Sequence, residues 1–159
     1  FPNLTIIKST PEISLNTAKK ADLLICAVLV TGARAPIVVT LPMIKAMKKG
    51  ACIVDVAIDQ GGSTHVAKPT SHTEPVFKYD GKNFCSIPNM PGQAAFQSTQ
   101  ALTNATLPYL LLMARQGVAA ALRADKDFAK GLNTFDGHIT YQAVATDLKM
   151  ESKFEEFNA

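Results

Sequence analysis

Two short runs of almost continuous apolar residues constrain the fold of this chain more than any other feature. They cover residues 22–28 and 51–57. Uninterrupted apolar runs, unlike alternating ones, are typical of strands buried on both faces of a parallel sheet. A loop at residues 31–36 and a short helix lie between them, and Thr40 can cap that helix with Pro42 in its first turn. The order strand, loop, helix, strand predicts a βαβ unit and an α/β fold.

The rest of the chain extends this prediction in both directions. Residues 4–7 are a β-branched run that we interpret as a short strand, and residues 76–79 and 83–87 flank Asp80-Gly81 as a hairpin. Apolar residues recur every three or four positions over residues 98–116, which indicates a long helix kinked at Pro108. Shorter helices are expected at residues 14–20, 118–124, 127–130 and 141–148. The sequence therefore predicts the second half of a doubly wound parallel sheet, followed by a helical part.

Composition narrows the classes of function. The chain has 159 residues, of which 47% are hydrophobic and 18% charged, against about 25% charged in an average domain. It should therefore bury a sizeable core and cover further surface against something else. The net charge is +3 with scattered basic residues, which argues against nucleic-acid binding. No apolar run reaches the roughly 18 residues of a membrane span, so we expect no membrane partner.

Neither the cysteines nor the histidines indicate a metal site. The cysteines lie in apolar runs without metal-ligand spacing: Cys26, Cys52 and Cys85. An odd number without CxxC fits small core residues in a reducing compartment, and we expect a cytoplasmic protein. His65 and His72 lie in a polar loop without an HExxH pattern, and His138 is interpreted as a strand residue. We therefore predict no metal.

Three polar loops follow the predicted strands, at residues 28–36, 58–62 and 88–92. Because ligands of open α/β sheets bind outside the carboxyl ends of the strands, these loops predict one crevice. Asp59 stands out as a carboxylate at a strand exit, where it can position a polar or cationic group. Equally, Asp59 can be a turn residue that bonds the backbone of Gly61 and Gly62.

The third loop offers two further candidates. Asn89 can bond its own loop or a ligand amide, and Met90 offers a polarisable apolar surface to a flat ring. The alternative is a stiff turn between Pro88 and Pro91. No GxGxxG occurs in the sequence, so a pyrophosphate cradle at a helix N-terminus is not encoded here.

Five segments of the chain form a specific combination: ADLLICAVLVTGARAP at residues 21–36, IVDVAIDQGG at 53–62, PNMPG at 88–92, ALTNATLPY at 101–109 and GLN at 131–133. Together they resemble the alanine dehydrogenase/pyridine nucleotide transhydrogenase family. Their order and spacing resemble the C-terminal portion of alanine dehydrogenases. The transhydrogenase subunits of the family resemble the chain less, because they lack the aspartate at position 59.

The resemblance implies reversible oxidative deamination of L-alanine to pyruvate and ammonia by an oxidoreductase that uses NAD. It implies the C-terminal half of an NAD-binding Rossmann domain at residues 1–95. Residues 96–159 would then be an interdomain helix and the C-terminal part of the substrate domain. Asp59 matches the catalytic aspartate. Positions near the cofactor match Val28, Leu29, Val56, Asp59, Asn89 and Met90. The family also implies a homo-oligomer, typically a hexamer.

The resemblance further implies that the family's catalytic histidine, substrate-binding arginine and lysine, and glycine-rich loop would precede Phe1. None of His65, His72 and His138 matches that histidine. We therefore expect the 159 residues to be inactive alone. Two alternatives remain open: the nucleotide-binding portion of a proton-translocating transhydrogenase, and a noncatalytic fragment that associates through an exposed sheet edge.

Overall fold

The computed structural model describes residues 2–157, which form two compact units. The first contains the chain up to Val30 and Arg34–Met90, and the second contains Thr31–Ala33 and the chain from Pro91 onward. The assignment of residues 1–95 to a nucleotide domain and of residues 96–159 to a substrate domain stays a prediction.

The first unit is built on a four-stranded sheet with the order β1-β2-β4-β3. Its strands are β1 (Leu23–Cys26), β2 (Cys52–Asp55), β3 (Val76–Tyr79) and β4 (Lys82–Cys85). The first two pair in parallel, β2 pairs in parallel with β4, and β3 returns antiparallel beside β4. The predicted α/β fold with a mainly parallel sheet is thus confirmed, as is the hairpin at Asp80-Gly81.

Two helices cover one face of this sheet. Helix α1 (Pro11–Ala18) begins where the Thr10 hydroxyl accepts the Ile13 N–H at 3.2 Å. Helix α2 (Leu41–Ala46) follows Thr40, with proline in its first turn as predicted. The core beneath them is formed by buried apolar residues, among them Ala18, Cys26, Met43, Ile44, Ile53 and Phe84. Burial of these side chains is the main favourable contribution to the stability of the unit.

The opposite face of β1 is not covered by the described residues. Leu23 is 55% and Ile25 is 61% exposed, whereas Cys26, on the helix-covered face, is 4% exposed. The prediction that this strand is buried on both faces is therefore wrong for the described chain. The strand predicted at residues 4–7 is also wrong. No strand of residues 2–157 pairs with it, and Ile6 is 87% exposed, so its backbone lacks the partner that a strand requires.

The second unit is mainly helical, as predicted. Its elements are α3 (Ala95–Gln116), α4 (Val118–Ala124), α5 (Lys126–Ala129), β5 (Thr134–Phe135), β6 (His138–Ile139) and α6 (Gln142–Asp147). Helix α3 continues through Pro108, and a bend of 117° separates it from α4 at Gly117. Within residues 2–157, no helix by itself has the length and apolarity of a membrane span, and only the bent pair α3–α4 taken together meets both.

Candidate functional site

The predicted site residues lie at the carboxyl edge of the sheet of the first unit. Because β1, β2 and β4 are parallel, their carboxyl ends share one edge. Val28 and Leu29 follow β1, Val56 follows β2, and Asn89 and Met90 follow β4. Leu29 is 65% and Val56 is 42% exposed, so apolar side chains are accessible at this edge.

Asp59 is joined directly to Asn89. It lies in a 3-10 turn, Val56–Gln60, which follows β2. Its two carboxylate oxygens accept the backbone N–H of Asn89 at 3.0 and 3.3 Å. Asn89 has a φ of +51°, a left-handed conformation that asparagine tolerates better than most residues. The bond connects the loops after β2 and β4 and leaves Asp59 exposed.

The turn-residue interpretation of Asp59 does not hold in the form in which we predicted it. The Gly61 N–H donates to the Ile58 carbonyl and the Gly62 N–H to the Ala57 carbonyl, each at 3.0 Å. Both glycine amides are therefore satisfied by main-chain oxygens. A carboxylate can accept about four hydrogen bonds, so Asp59 keeps acceptor capacity beyond the Asn89 amide.

A backbone hydrogen bond connects the loop after β1 to the same turn. The Ala35 N–H donates to the Gln60 carbonyl at 3.0 Å. With the contact between Asp59 and Asn89, all three predicted loops are linked at one edge. Val28, Leu29 and Val56 share this edge as apolar residues. Their roles, and those of Asp59, Asn89 and Met90, stay predictions.

A buried polar cluster lies at the base of the turn. Asp55 and Ser63 are both fully buried. One oxygen of Asp55 accepts the Ala57 N–H at 3.2 Å and the Ser63 hydroxyl at 2.9 Å, and the other accepts the Ser63 N–H at 2.8 Å. Sequence reasoning missed Ser63 as the partner of Asp55. The only sequence signal for Ser63 is its place after two glycines.

Cys26 borders this cluster and is unsuited to nucleophilic chemistry. Burial raises the pKa of its thiol to about 11, and the negative charge of Asp55 acts in the same direction. A hydrogen bond with Ser63 opposes the shift without cancelling it. Since the thiolate is the reactive form, the Cys26 thiol is unreactive at neutral pH. Cys26 is a residue of the core, as its sequence context predicted.

Gly61 and Gly62 close the turn with φ values of +94° and +79°. A Cβ added to Gly62 would lie 2.3 Å from the Cβ of Ala67 and 3.2 Å from an oxygen of Asp55. Glycine at this position is therefore required both by the backbone conformation and by the lack of space.

His65 and His138 each have a structural partner. His65 Nδ1 accepts the backbone N–H of Leu41 at 3.2 Å and so caps the start of α2, a role that sequence reasoning missed. In the second unit, His138 Nδ1 lies 3.2 Å from a carboxylate oxygen of Glu155. Within residues 2–157 no group of three or more His, Cys, Asp or Glu side chains is arranged to hold a metal ion.

Comparison with known proteins gives a consistent result. The model of the family described as "Alanine dehydrogenase/PNT, C-terminal domain" matches residues 2–142. The alanine dehydrogenase of Mycolicibacterium smegmatis is 51% identical over 132 residues, which are 83% of this chain and 36% of that protein. Those of Halomonas elongata and Bacillus subtilis are each 48% identical over 90% of this chain and 38% of their own length. The chain thus spans about two fifths of the length of the curated relatives it matches.

Solved structures also resemble this chain, an alanine dehydrogenase more than a transhydrogenase. A structure described as L-alanine dehydrogenase superposes with a TM-score of 0.73 at 43% identity, covering 89% of this chain and 39% of that one. A transhydrogenase from Sinorhizobium meliloti is more distant, with a TM-score of 0.61 at 25% identity over 70% of this chain and 32% of that one.

Proposed function

The chain belongs to the alanine dehydrogenase/PNT C-terminal domain family, and from this membership we propose that it supplies the nicotinamide side of the active site of an NAD-dependent alanine dehydrogenase. In the proposed reaction, L-alanine, NAD⁺ and water give pyruvate, ammonium, NADH and a proton. The observation that carries the proposal is the exposed carboxylate of Asp59, held by the Asn89 amide at the sheet edge where α/β folds bind ligands.

The residues at this edge suit the nicotinamide end of NAD. Leu29 and Val56 offer exposed apolar surface for a flat ring, and Met90 is half-buried beside Asn89. A GxGxxG pattern is absent from the sequence, so the proposal assigns these residues no contact with the pyrophosphate. When bound, the cofactor supplies the hydride acceptor.

Asp59 then acts by orientation and charge. A carboxylate fixed by one backbone N–H has acceptor capacity left for the ammonium group of alanine, for the attacking water or for the nicotinamide ribose. Its negative charge also stabilises positive charge that develops as the amino nitrogen gains double-bond character. Val28 and Leu29 would pack along the cofactor.

The transhydrogenase alternative rests on a weaker observation. The transhydrogenase structure shares less of the chain and less sequence than the alanine dehydrogenase structure does. Asp59 is also the residue that the resemblance assigns to alanine dehydrogenases and not to transhydrogenase subunits. We therefore keep alanine oxidation as the proposed reaction.

Two further properties belong to the same proposal. Helix α3 has no buried residue within the described chain, and Phe96 and Leu102 on it are 70% and 66% exposed. This apolar surface supports assembly into a homo-oligomer, for which the family resemblance suggests a hexamer. The three cysteines are free, which supports a cytoplasmic location.

The test is a substrate comparison with the protein in the length that its gene encodes. We expect NADH formation from NAD⁺ that depends on L-alanine, and NADH oxidation that depends on pyruvate together with ammonium. Hydride transfer between two nicotinamide nucleotides, without any response to alanine, would instead support the transhydrogenase alternative. Failure of both assays would leave the noncatalytic alternative.

A further inference from the structure

The turn that carries Asp59 is attached to the sheet by two fully buried polar residues. Asp55 is the last residue of β2, and Ser63 follows the two glycines that end the turn. Asp55 accepts two hydrogen bonds from Ser63, from its N–H at 2.8 Å and its hydroxyl at 2.9 Å. These bonds close the loop over a separation of eight residues, with Asp59 at its centre.

Ser63 is also fixed on its other side. Its carbonyl accepts the N–H groups of Val38 and Val39 at 2.8 and 3.1 Å. The exit of the turn is thus bonded both to the end of β2 and to the segment that precedes α2. Because Asp55 and Ser63 are fully buried, water does not compete for the hydrogen bonds between them.

Asp59 itself lacks such support from packing. Its side chain is exposed, and Asn89 reaches it through a backbone amide. The hydrogen bonds of Gly61 and Gly62 are internal to the turn, so they fix the shape of the turn but not its orientation on the sheet. That orientation depends on the buried bonds at its base, together with the bond from the Ala35 N–H to the Gln60 carbonyl.

We propose that Asp55 and Ser63 form a positioning clamp that orients the carboxylate of Asp59 and thereby sets the turnover number without touching substrate or cofactor. This inference rests on the proposed function, since it concerns the residue assigned there to the reaction. It makes Ser63 and Asp55 positioning residues, distinct from the exposed edge formed by Asp59, Asn89 and the apolar side chains.

The chain offers a matched pair of variants. Ser63→Ala removes the hydroxyl that Asp55 accepts but keeps the Ser63 N–H bond. Thr64→Val removes the neighbouring hydroxyl, which is equally buried and has no hydrogen-bond partner within the described residues. Both variants delete one buried hydroxyl next to the turn, and only the first breaks a bond of the clamp.

The experiment measures kcat, the KM for NAD⁺ and the midpoint of thermal unfolding for the gene-encoded protein. Because a displaced reactive group costs up to about a hundredfold in rate, we expect Ser63→Ala to lower kcat roughly tenfold with little change in KM. Thr64→Val should keep the wild-type kcat. If Ser63→Ala does not fold, Ser63→Cys replaces it, because cysteine keeps a weak hydrogen-bond donor. We then expect a kcat below that of the wild type by less than the tenfold loss expected for Ser63→Ala.

A double variant separates positioning from general destabilisation. If the clamp acts through Asp59, adding Ser63→Ala to Asp59→Asn should lower kcat no further, because coupled residues are not additive. Multiplied losses in the double variant, equal losses in Ser63→Ala and Thr64→Val, or no loss in Ser63→Ala would each overturn the clamp while Asp59→Asn remains impaired. Wild-type turnover in Asp59→Asn would overturn the proposed function and the clamp with it.

Discussion

At the scale of single residues, one segment after the glycine pair holds two distant parts of the first unit. Ser63 bonds to the end of β2, and His65, two residues later, bonds to the first N–H of α2. Thr40 stands at the N-cap of that helix but makes no side-chain capping bond. His65 therefore supplies the hydrogen-bond acceptor that an N-cap side chain usually supplies, although it lies 24 residues from Leu41 in the sequence.

Replacing His65 tests this capping role. His65→Ala leaves the Leu41 N–H without its acceptor, and loss of a helix cap costs about 0.5–2 kcal/mol. His65→Asn places an amide oxygen near the position of Nδ1 and should retain most of the stability. Urea unfolding measures both variants, and equal stability of Ala and Asn at this position would show that the cap contributes nothing.

The sequence pattern points to some residues of the candidate site and not to others, and the difference has a physical reason. Asp59 and Asn89 are visible because each follows an apolar strand, Asp59 two residues before a glycine pair and Asn89 directly after a proline. Ser63 and His65 are not, because their partners are set by tertiary contacts across eight and 24 residues. A serine or histidine in a polar loop has no pattern that specifies such a partner.

At the scale of elements, the β3–β4 hairpin shows a turn and an ion pair combined. Asp80 and Gly81 have φ values of +47° and +73°, as the type I′ turns favoured in two-residue hairpins require. The side chain of Lys82 is 4% exposed and lies 2.7 Å from an Asp80 oxygen. Hydrogen bonding and charge from Lys82 lower the pKa of Asp80.

Asp80→Asn separates the two contributions. Asn-Gly preserves the turn, but the buried ammonium of Lys82 loses its carboxylate, so the hairpin should be less stable at neutral pH. Because the folded-state pKa of Asp80 lies below its ordinary value of 3.8, its stabilisation is present above that value and disappears as the pH falls through the lowered one. We expect the wild type to lose more stability on acidification than Asp80→Asn does.

Asp127→Asn is the control for that pH dependence. Asp127 also has a lowered pKa, from Lys130, but both side chains of this pair are largely exposed, and exposed pairs contribute little. Urea unfolding at several pH values measures all three proteins. Identical pH profiles of the wild type and Asp80→Asn would contradict the assigned role of the Asp80–Lys82 pair.

The glycine pair after the Asp59 turn gives a second prediction at this scale. Alanine at Gly62 would meet both the cost of a left-handed conformation, roughly 1–2 kcal/mol, and the 2.3 Å clash with Ala67. Gly50, with a φ of +82°, has nothing within 4 Å of an added Cβ. Gly62→Ala should therefore destabilise clearly more than Gly50→Ala in thermal unfolding, and equal losses would count against the packing requirement.

Helices and strands were predicted correctly where the local sequence pattern coincides with a partner in the folded chain. The apolar runs gave β1 and β2, and Asp80-Gly81 gave the hairpin. Residues 4–7 have the β-branched composition of a strand, but among residues 2–157 they have no strand to pair with. Composition indicates that a segment can be a strand, whereas pairing decides whether it is one.

At the scale of the whole molecule, the described residues leave much apolar surface uncovered. Leu23 and Ile25 are exposed on one face of the sheet, and α3 has no buried residue. This agrees with the low charged fraction of 18%, which indicated surface to be covered by something else. Contiguous exposed apolar surface is typical of interfaces.

We expect the 159 residues expressed alone to be inactive. They hold Asp59 but no GxGxxG pattern for the pyrophosphate, and the family resemblance assigns the acid/base role to none of their histidines. We expect no measurable NADH formation with L-alanine and NAD⁺ from a preparation whose intact mass is verified. Turnover by such a preparation would show that these 159 residues suffice for the proposed reaction.

The most direct test of the proposed role of Asp59 is the turnover number of Asp59→Asn in the gene-encoded protein. Asparagine preserves shape but removes the charge, and we expect kcat with L-alanine and NAD⁺ to fall about a hundredfold or more, with an unchanged melting temperature. Asp136→Asn, in the exposed turn between β5 and β6, is the control and should keep the wild-type rate. A wild-type kcat in Asp59→Asn would contradict the assignment of Asp59 to the reaction.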